Sequence, residues 1–228
     1  MSTITIIGGH GKVALLAAPL LSKAGHTVRS VIRKEEQSSD IEAANATPVV
    51  ADVEHLDTDA IAEVVAGSDA IVWSAGAGGS GEDHTWAMDR DAAIRVMDAA
   101  QKSGIRRFVM VSYFNSRLVD GEVPGVEKGD EMYAYYYNAK SQADEHLRTK
   151  TNLDWTVLGP SVLALDPATE TVTVDSTGET RDLDVPSTSR DNVAHVIAAA
   201  LDEPAVIGKT LNFHDGDTPI AEAVAQGV

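Results

Sequence analysis

Residues 3–14 read TITIIGGHGKVA, and this stretch decides the fold. Thr3–Ile7 has the length and β-branched content of a buried strand, and the chain from Lys12 onward carries a helical apolar pattern. Between them stands Gly8-Gly9-His10-Gly11. The spacing Gly8-x-x-Gly11-x-x-Ala14 is that of the turn in which a dinucleotide pyrophosphate meets a helix N-terminus. Gly8 allows the tight turn, Gly11 lets backbone approach the phosphates, and Ala14 stands where helix and strand must lie close. Lys12 and Val13 open the helix, whose unpaired N–H groups and positive dipole end attract phosphate. His10 joins these candidates from inside the loop, although a permissive loop position also accounts for it. A glycine triplet alone is also met in plain turns; the strand before it and the helix after it favour the nucleotide.

Working outward, short β-branched runs alternate with longer helical ones. Lys12–Ala24 is predicted helical, with Pro19 inside it and Gly25 as its stop. Val28–Arg33, Thr47–Ala51, Ala70–Ala75, Arg107–Ser112 and Trp155–Leu158 are predicted strands. Asp57–Ala66, Thr85–Ser103 and Met132–Thr149 are the helices between them. Strand and helix at this spacing mean parallel βαβ units, hence an α/β, Rossmann-type doubly wound parallel sheet. After Pro160 the rhythm changes. Thr171–Val174 and Glu179–Val185 read as a small hairpin, Ser189 as the N-cap of a helix through Leu201, and Thr210–His214 as a last strand. The expected organisation is a single domain over 1–228: a nucleotide-binding core to about 158, and substrate-side cap elements from about 159 to 228. The irregular stretches Gly76–Asp83 and Ser116–Asp130 follow strand C-termini, where open α/β sheets bind ligands.

A net charge of −17 argues against nucleic acid and anionic membranes, because polyanions are repelled. Without cysteine there are no disulfides, zinc thiolates or cysteine nucleophiles. The start MSTITIIGG lacks a basic region, and the longest apolar run, Val13–Leu21, is far short of the roughly 20 residues that span a bilayer. A cytoplasmic location is expected. The seven histidines show no metal-ligand spacing, so no metal site is assigned. Asp52, Glu54 and Asp57 read as a solvated edge; His84 and Trp86 read as a helix start, with lining of the substrate pocket as the alternative.

The end of strand two tests the cofactor. An acid there would bond the ribose 2′-OH of NAD, whereas Arg33 followed by Lys34 suits the 2′-phosphate of NADP through bidentate guanidinium pairing. NADP(H) is therefore expected over NAD(H). Asp52, with Val53 beside it, would lie at the adenine edge. The small residues Ser74, Ala75 and Gly76 would let backbone pass under the adenosine ribose and pyrophosphate.

MYAYYYNAK, Met132–Lys140, holds four tyrosines ahead of a lysine. On a helix Tyr136 lies four residues and Tyr137 three residues before Lys140, on its face. Geometry puts Tyr136 first and Tyr137 second. A nearby ammonium favours the phenolate and would lower the tyrosine pKa from its usual value near 10, giving a usable proton donor and acceptor. Tyr133, Tyr135 and Tyr137 are expected to pack under the loop Ser116–Asp130. Ser112, ending strand five, would bond a substrate carbonyl.

With GGHGKVA, VIR ending at Arg33, VAD at Asp52, SAGAGG at Ser74–Gly79, the run from Met88 to Ser112, YYNAK and GP at Gly159–Pro160, the chain resembles the atypical short-chain dehydrogenase/reductases, the NmrA-like and biliverdin-reductase-B-like group. The resemblance covers nearly the whole length. It implies Ser112, Tyr136 and Lys140 as catalytic residues, Lys140 also bonding the nicotinamide ribose, and Gly159–Val162 passing beside the nicotinamide. Pro160 and Val162 thereby join the cofactor-binding candidates. The expected activity is NADP(H)-dependent reduction of a small carbonyl, quinone-like or conjugated acceptor. Because several atypical members lack the tyrosine and only bind the nucleotide, a redox-sensing regulator acting on a protein partner is the alternative. A sugar-nucleotide epimerase is a third, disfavoured by the short chain after Pro160. A homodimer is an allowed assembly.

Overall fold

The computed structural model describes residues 1–124, 131–175 and 185–226, with backbone alone for 131–133. Five parallel strands form the first half of the sheet: β1 (Thr3–Ile7), β2 (Thr27–Ile32), β3 (Thr47–Val50), β4 (Ala70–Trp73) and β5 (Arg107–Val111). The helices between them are α1 (Lys12–Lys23), α2 (Ser38–Ala43), α3 (Thr58–Val65), α4 (Glu82–Thr85) and α5 (Ala93–Lys102). Then come α6 (Glu131–Lys150), β6 (Asp154–Pro160), β7 (Leu163–Ala164), β8 (Thr171–Asp175), β9 (Thr188–Ser189), α7 (Arg190–Asp202), β10 (Lys209–Asp215), β11 (Thr218–Pro219) and α8 (Ile220–Gln226).

The main sheet runs β11-β8-β10-β6-β5-β4-β1-β2-β3. The order β3-β2-β1-β4-β5-β6 is the doubly wound arrangement, and the chain reverses direction across the sheet between β1 and β4. Both faces are covered, so the parallel strands read as continuous apolar runs with little alternation. Ile4 and Ile6 pack with Val109, Val111, α1 and α7 on one face. Ile7, Phe108, Met110 and Trp73 pack with α5 and α6 on the other.

Two predicted features change. Thr171–Asp175 is a strand, but β8 pairs antiparallel with β10, Phe213 opposite Val174, and with β11. The second arm of the expected hairpin lies outside the described residues except Val185, which is in no strand. The long helix predicted over Thr85–Ser103 is interrupted: Trp86–Ala92 is π-helical, joining α4 to α5. A π segment re-aims side chains by widening the turn, and such segments gather at functional sites.

Candidate active site

The C-terminal ends of β1, β2 and β4 open onto a cleft of about 290 Å³. Its floor is the glycine loop. Gly8 has φ +82°, and a Cβ there would lie 2.6 Å from Ala75 Cα, so both conformation and space demand glycine. Gly11 is the N-cap of α1, and α1 begins with no side-chain cap. Its first-turn N–H groups are left for an anion.

Of the candidate cofactor residues, Gly8, His10, Gly11, Arg33, Val53, Ser74, Ala75 and Gly76 line this cleft. Lys12 is exposed and the Val13 side chain belongs to the core, so these two offer backbone N–H groups only. His10 bonds Asp40 Oδ2 at 2.8 Å and is held toward α2. Asp52 is not among the residues lining the cleft. Its carboxylate accepts the Glu54 N–H at 3.2 Å and pairs with His55 Nδ1 at 3.0 Å, while Ala51 and Val53 form the wall. Pro160 is buried in β6 and Val162 is exposed just beyond it. Gln37 shares the cleft lining with Arg33.

Arg33 is half-exposed, its Nη1 4.0 Å from Glu54 Oε2. Glu54 also holds His84 Nδ1 at 2.7 Å, which brings His84 into the cleft wall. Donor atoms of Asp52, Glu54 and His55 lie within 4.8 Å of one another, but the hydrogen bonds just given account for this grouping. Asp57 is elsewhere, capping α3 through the Ala60 N–H at 2.8 Å.

The candidate catalytic residues meet along α6. Lys140 Nζ lies 3.1 Å from Asp89 Oδ1 in a buried ion pair and 5.6 Å from the Tyr136 ring centroid. Asp89 comes from the π-helical segment, and its Oδ2 accepts the Ala77 N–H at 3.0 Å. One carboxylate thus ties the loop after β4 to α6. Burial works against the Lys140 charge, but the attraction of Asp89, with Tyr136 and Asp144 behind it, holds the ammonium above the usual lysine value.

Tyr136 departs from expectation. Lys140 does favour its phenolate, yet burial first, and then the fields of Asp89 and Asp144, carry its pKa above the usual value. The phenol is therefore protonated at neutral pH. Tyr136 and Tyr137 rings are 5.4 Å apart, and Tyr113 packs on both at 6.1 and 4.8 Å. Tyr137 thus packs, as expected; the Tyr133 side chain lies outside the described residues. Burial pushes the Tyr113 hydroxyl up to about 12, against its bond to Ser141 Oγ at 2.6 Å.

Ser112, buried at the end of β5, donates its hydroxyl to Asp144 Oδ2 at 2.5 Å. Ser116 donates to the same oxygen. Asp89, Asp144, Ser116 and Tyr113 went unnoticed as site residues in the sequence. Asp144 was legible: it stands four residues beyond Lys140, so Tyr136, Lys140 and Asp144 form one stripe of α6. Asp89 was not, because its aim depends on the π-helical turn.

The sequence pattern of the family described as NAD(P)H-binding matches residues 8–204. A Bacillus subtilis relative, named uncharacterized sugar epimerase YhfK, is 36% identical over 223 residues, covering 97% of this chain and 98% of its own. A solved Bacillus halodurans structure, provisionally named an NAD-dependent epimerase/dehydratase, is 33% identical with a TM-score of 0.88, covering 99% of this chain and 100% of that one. The Lactococcus lactis oxidoreductase ylbE is 27% identical with a TM-score of 0.82, covering 97% and 94%. The fold is that of NAD(P)-binding, oxidoreductase-like Rossmann proteins, and the glycine cradle and uncapped α1 terminus fit such a nucleotide. Among the described residues no helix is long and apolar enough to cross a membrane.

Proposed function

The chain belongs to the NAD(P)H-binding family, and from that premise, with its resemblance to the atypical short-chain dehydrogenase/reductases, we propose that it is an NADP(H)-dependent oxidoreductase of a small carbonyl, quinone-like or conjugated acceptor. The observation that carries this reading is the stripe Tyr136–Lys140 on α6, with Lys140 fixed by a carboxylate that also holds the loop of the nucleotide cleft. Gly8, Gly11 and the α1 N-terminus would hold the pyrophosphate, Arg33 the 2′-phosphate, and Lys140 with Gly159–Val162 the nicotinamide end. When bound, the nicotinamide supplies the hydride.

The chain's own residues manage the proton. Tyr136, a protonated phenol, donates to the substrate oxygen as charge develops on it. Lys140, kept charged by Asp89, has N–H groups left to give a bond to a ribose hydroxyl, and its field stabilises the phenolate that forms. Ser112 stands beside it as a second donor to the oxygen. Arg33 favours NADP(H) because an exposed pair at 4.0 Å is weak and screened, so a phosphate dianion takes the guanidinium from Glu54.

A second reading, sugar-nucleotide epimerisation, is favoured by the names of the Bacillus relatives. It would use the same tyrosine and lysine, but with no net use of cofactor. The test is NADPH oxidation against quinones, flavins, aldehydes and ketones, with Tyr136→Phe alongside. Turnover with one acceptor class, cut about 10²- to 10⁴-fold in the variant with NADPH binding kept, is expected. Turnover unchanged in Tyr136→Phe removes the tyrosine from the mechanism. Interconversion of sugar nucleotides without NADPH loss selects the epimerase. No reaction of either kind, with oxidised and reduced cofactor bound at different affinities, selects a sensor.

A further inference from the structure

Ser112 has one hydroxyl proton, and the structure shows where it goes. It is donated to Asp144 Oδ2 at 2.5 Å, the same oxygen that takes the Ser116 proton. Both serines and the acid are buried, Asp144 completely. The other carboxylate oxygen, Asp144 Oδ1, is buried with no hydrogen-bond partner among the described residues. An ionised carboxylate with one oxygen doubly bonded and the other bare is costly in such a place, whereas the neutral acid is tolerated. Once the acid is neutral its own O–H can be given to a serine oxygen. The serine proton is then released to point elsewhere, because a hydroxyl both donates and accepts.

We propose that Asp144 is a positioning residue that switches Ser112: ionised, it holds the Ser112 proton; protonated, it donates to Ser112 Oγ and frees the Ser112 O–H for the substrate oxygen. No proton is lost in this exchange; Asp144 sets only the direction of the Ser112 hydrogen bond. The switch rests on the reading of Ser112 as a donor to substrate in the reductase proposed above.

The charged and titratable groups around Asp144 come from three elements. Arg148 and Lys140 share its helix, with Tyr136 one turn beyond, and both cations favour ionisation. Tyr113, in the segment after β5, feels its charge. Asp89, from the π-helical segment, neutralises Lys140 and so weakens the help that lysine gives. Burial outweighs Arg148, the two serine bonds and Lys140, and the carboxyl lies above the usual aspartate value. Reductive turnover should thus rise as pH falls through the Asp144 titration.

Two measurements test this. The first follows the infrared C=O band of a protonated carboxylic acid against pH in the whole protein, without substrate. The band is expected to persist at pH values where an ordinary aspartate is already ionised, and to vanish in Asp144→Asn. The second follows kcat against pH. The amide of Asp144→Asn cannot ionise and its N–H groups donate to both serines, so the alkaline fall of the wild type should disappear, and at pH 8 the variant should exceed the wild type by on the order of 10-fold. Should Asp144→Asn not fold, Ser116→Ala removes one donor from the carboxylate, and both band and kcat fall should move to higher pH. A band lost in the range where an ordinary aspartate ionises overturns the inference. So does turnover that ignores pH in the wild type, or a kcat profile unmoved in the variant that folds, and these results leave the reductase reading standing. Absence of turnover with every acceptor overturns that reading first, and this inference with it.

Discussion

At the scale of single residues, the proposed cofactor choice rests on Arg33. It follows β2 on the rim of the cleft, and among the described residues its one ionic neighbour, Glu54, is 4.0 Å away. Hydrogen bonds to charged groups contribute about 1.5–3 kcal/mol, so Arg33→Ala should weaken NADPH binding about 10- to 100-fold and leave NADH nearly unchanged. Titration calorimetry with both cofactors checks it; equal losses for both would mean that Arg33 acts on the loop and not on a 2′-phosphate. Other residues were less legible. The glycine spacing names Gly8 and Gly11 because one backbone conformation and one close approach require them. The local bonds of Asp52 were not legible, because the sequence cannot say that a carboxylate will turn back to bond the N–H two residues on. Ser112 was found by its place at a strand end, but its partner is 32 residues away and comes from another element.

At the scale of elements, the parallel strands were legible to within a residue or two, because strands buried on both faces must be apolar throughout. The two-residue pairs β7–β9 and β8–β11 were not, since they are too short to carry a period. The turn and nearly all of the second arm of the expected hairpin lie outside the described residues; the pairing of β8 with β10, nearly forty positions later, was not legible because no local turn announces it. Helix ends were read best where a cap is chemical. Ser189 Oγ accepts from Asp191 N at 3.2 Å and Asn192 N at 3.5 Å, and donates to the Asp166 carbonyl at 2.6 Å. Ser189→Ala loses the cap of α7, about 1 kcal/mol, and the part-buried bond to the Asp166 carbonyl, for a total of about 1–3 kcal/mol. At this chain length the melting temperature should fall by about 3–10 °C. Ser189→Asp, which caps but cannot donate, should recover part of the loss; full recovery would remove the Asp166 bond from the account.

At the scale of the whole molecule, a net charge of −17 makes the folded chain repel itself. Acidification relieves that repulsion, and so does salt, since the screening length falls from about 10 Å at 0.1 M to about 3 Å at 1 M. Asp144 adds a contribution of the same sign but different origin. Its folded pKa is raised, so the stability it contributes is fully present below the ordinary aspartate value and is lost as pH rises through the folded value. Being buried, this part is not screened. The other shifted groups act outside the window from pH 5 to 8. Lys140, Tyr136 and Tyr113 are all raised from values near or above 10, so their contributions change only in alkali. Asp154 is lowered by its bond to Arg106, and loses its contribution only in acid below the usual aspartate range. The melting temperature at low salt is therefore expected to fall as pH rises from the ordinary aspartate range through the folded Asp144 titration. In 1 M sodium chloride the fall should shrink without vanishing in the wild type, and should vanish in Asp144→Asn. A pH dependence abolished by salt in the wild type would assign it wholly to surface charge, and would mean that Asp144 is ionised throughout this range.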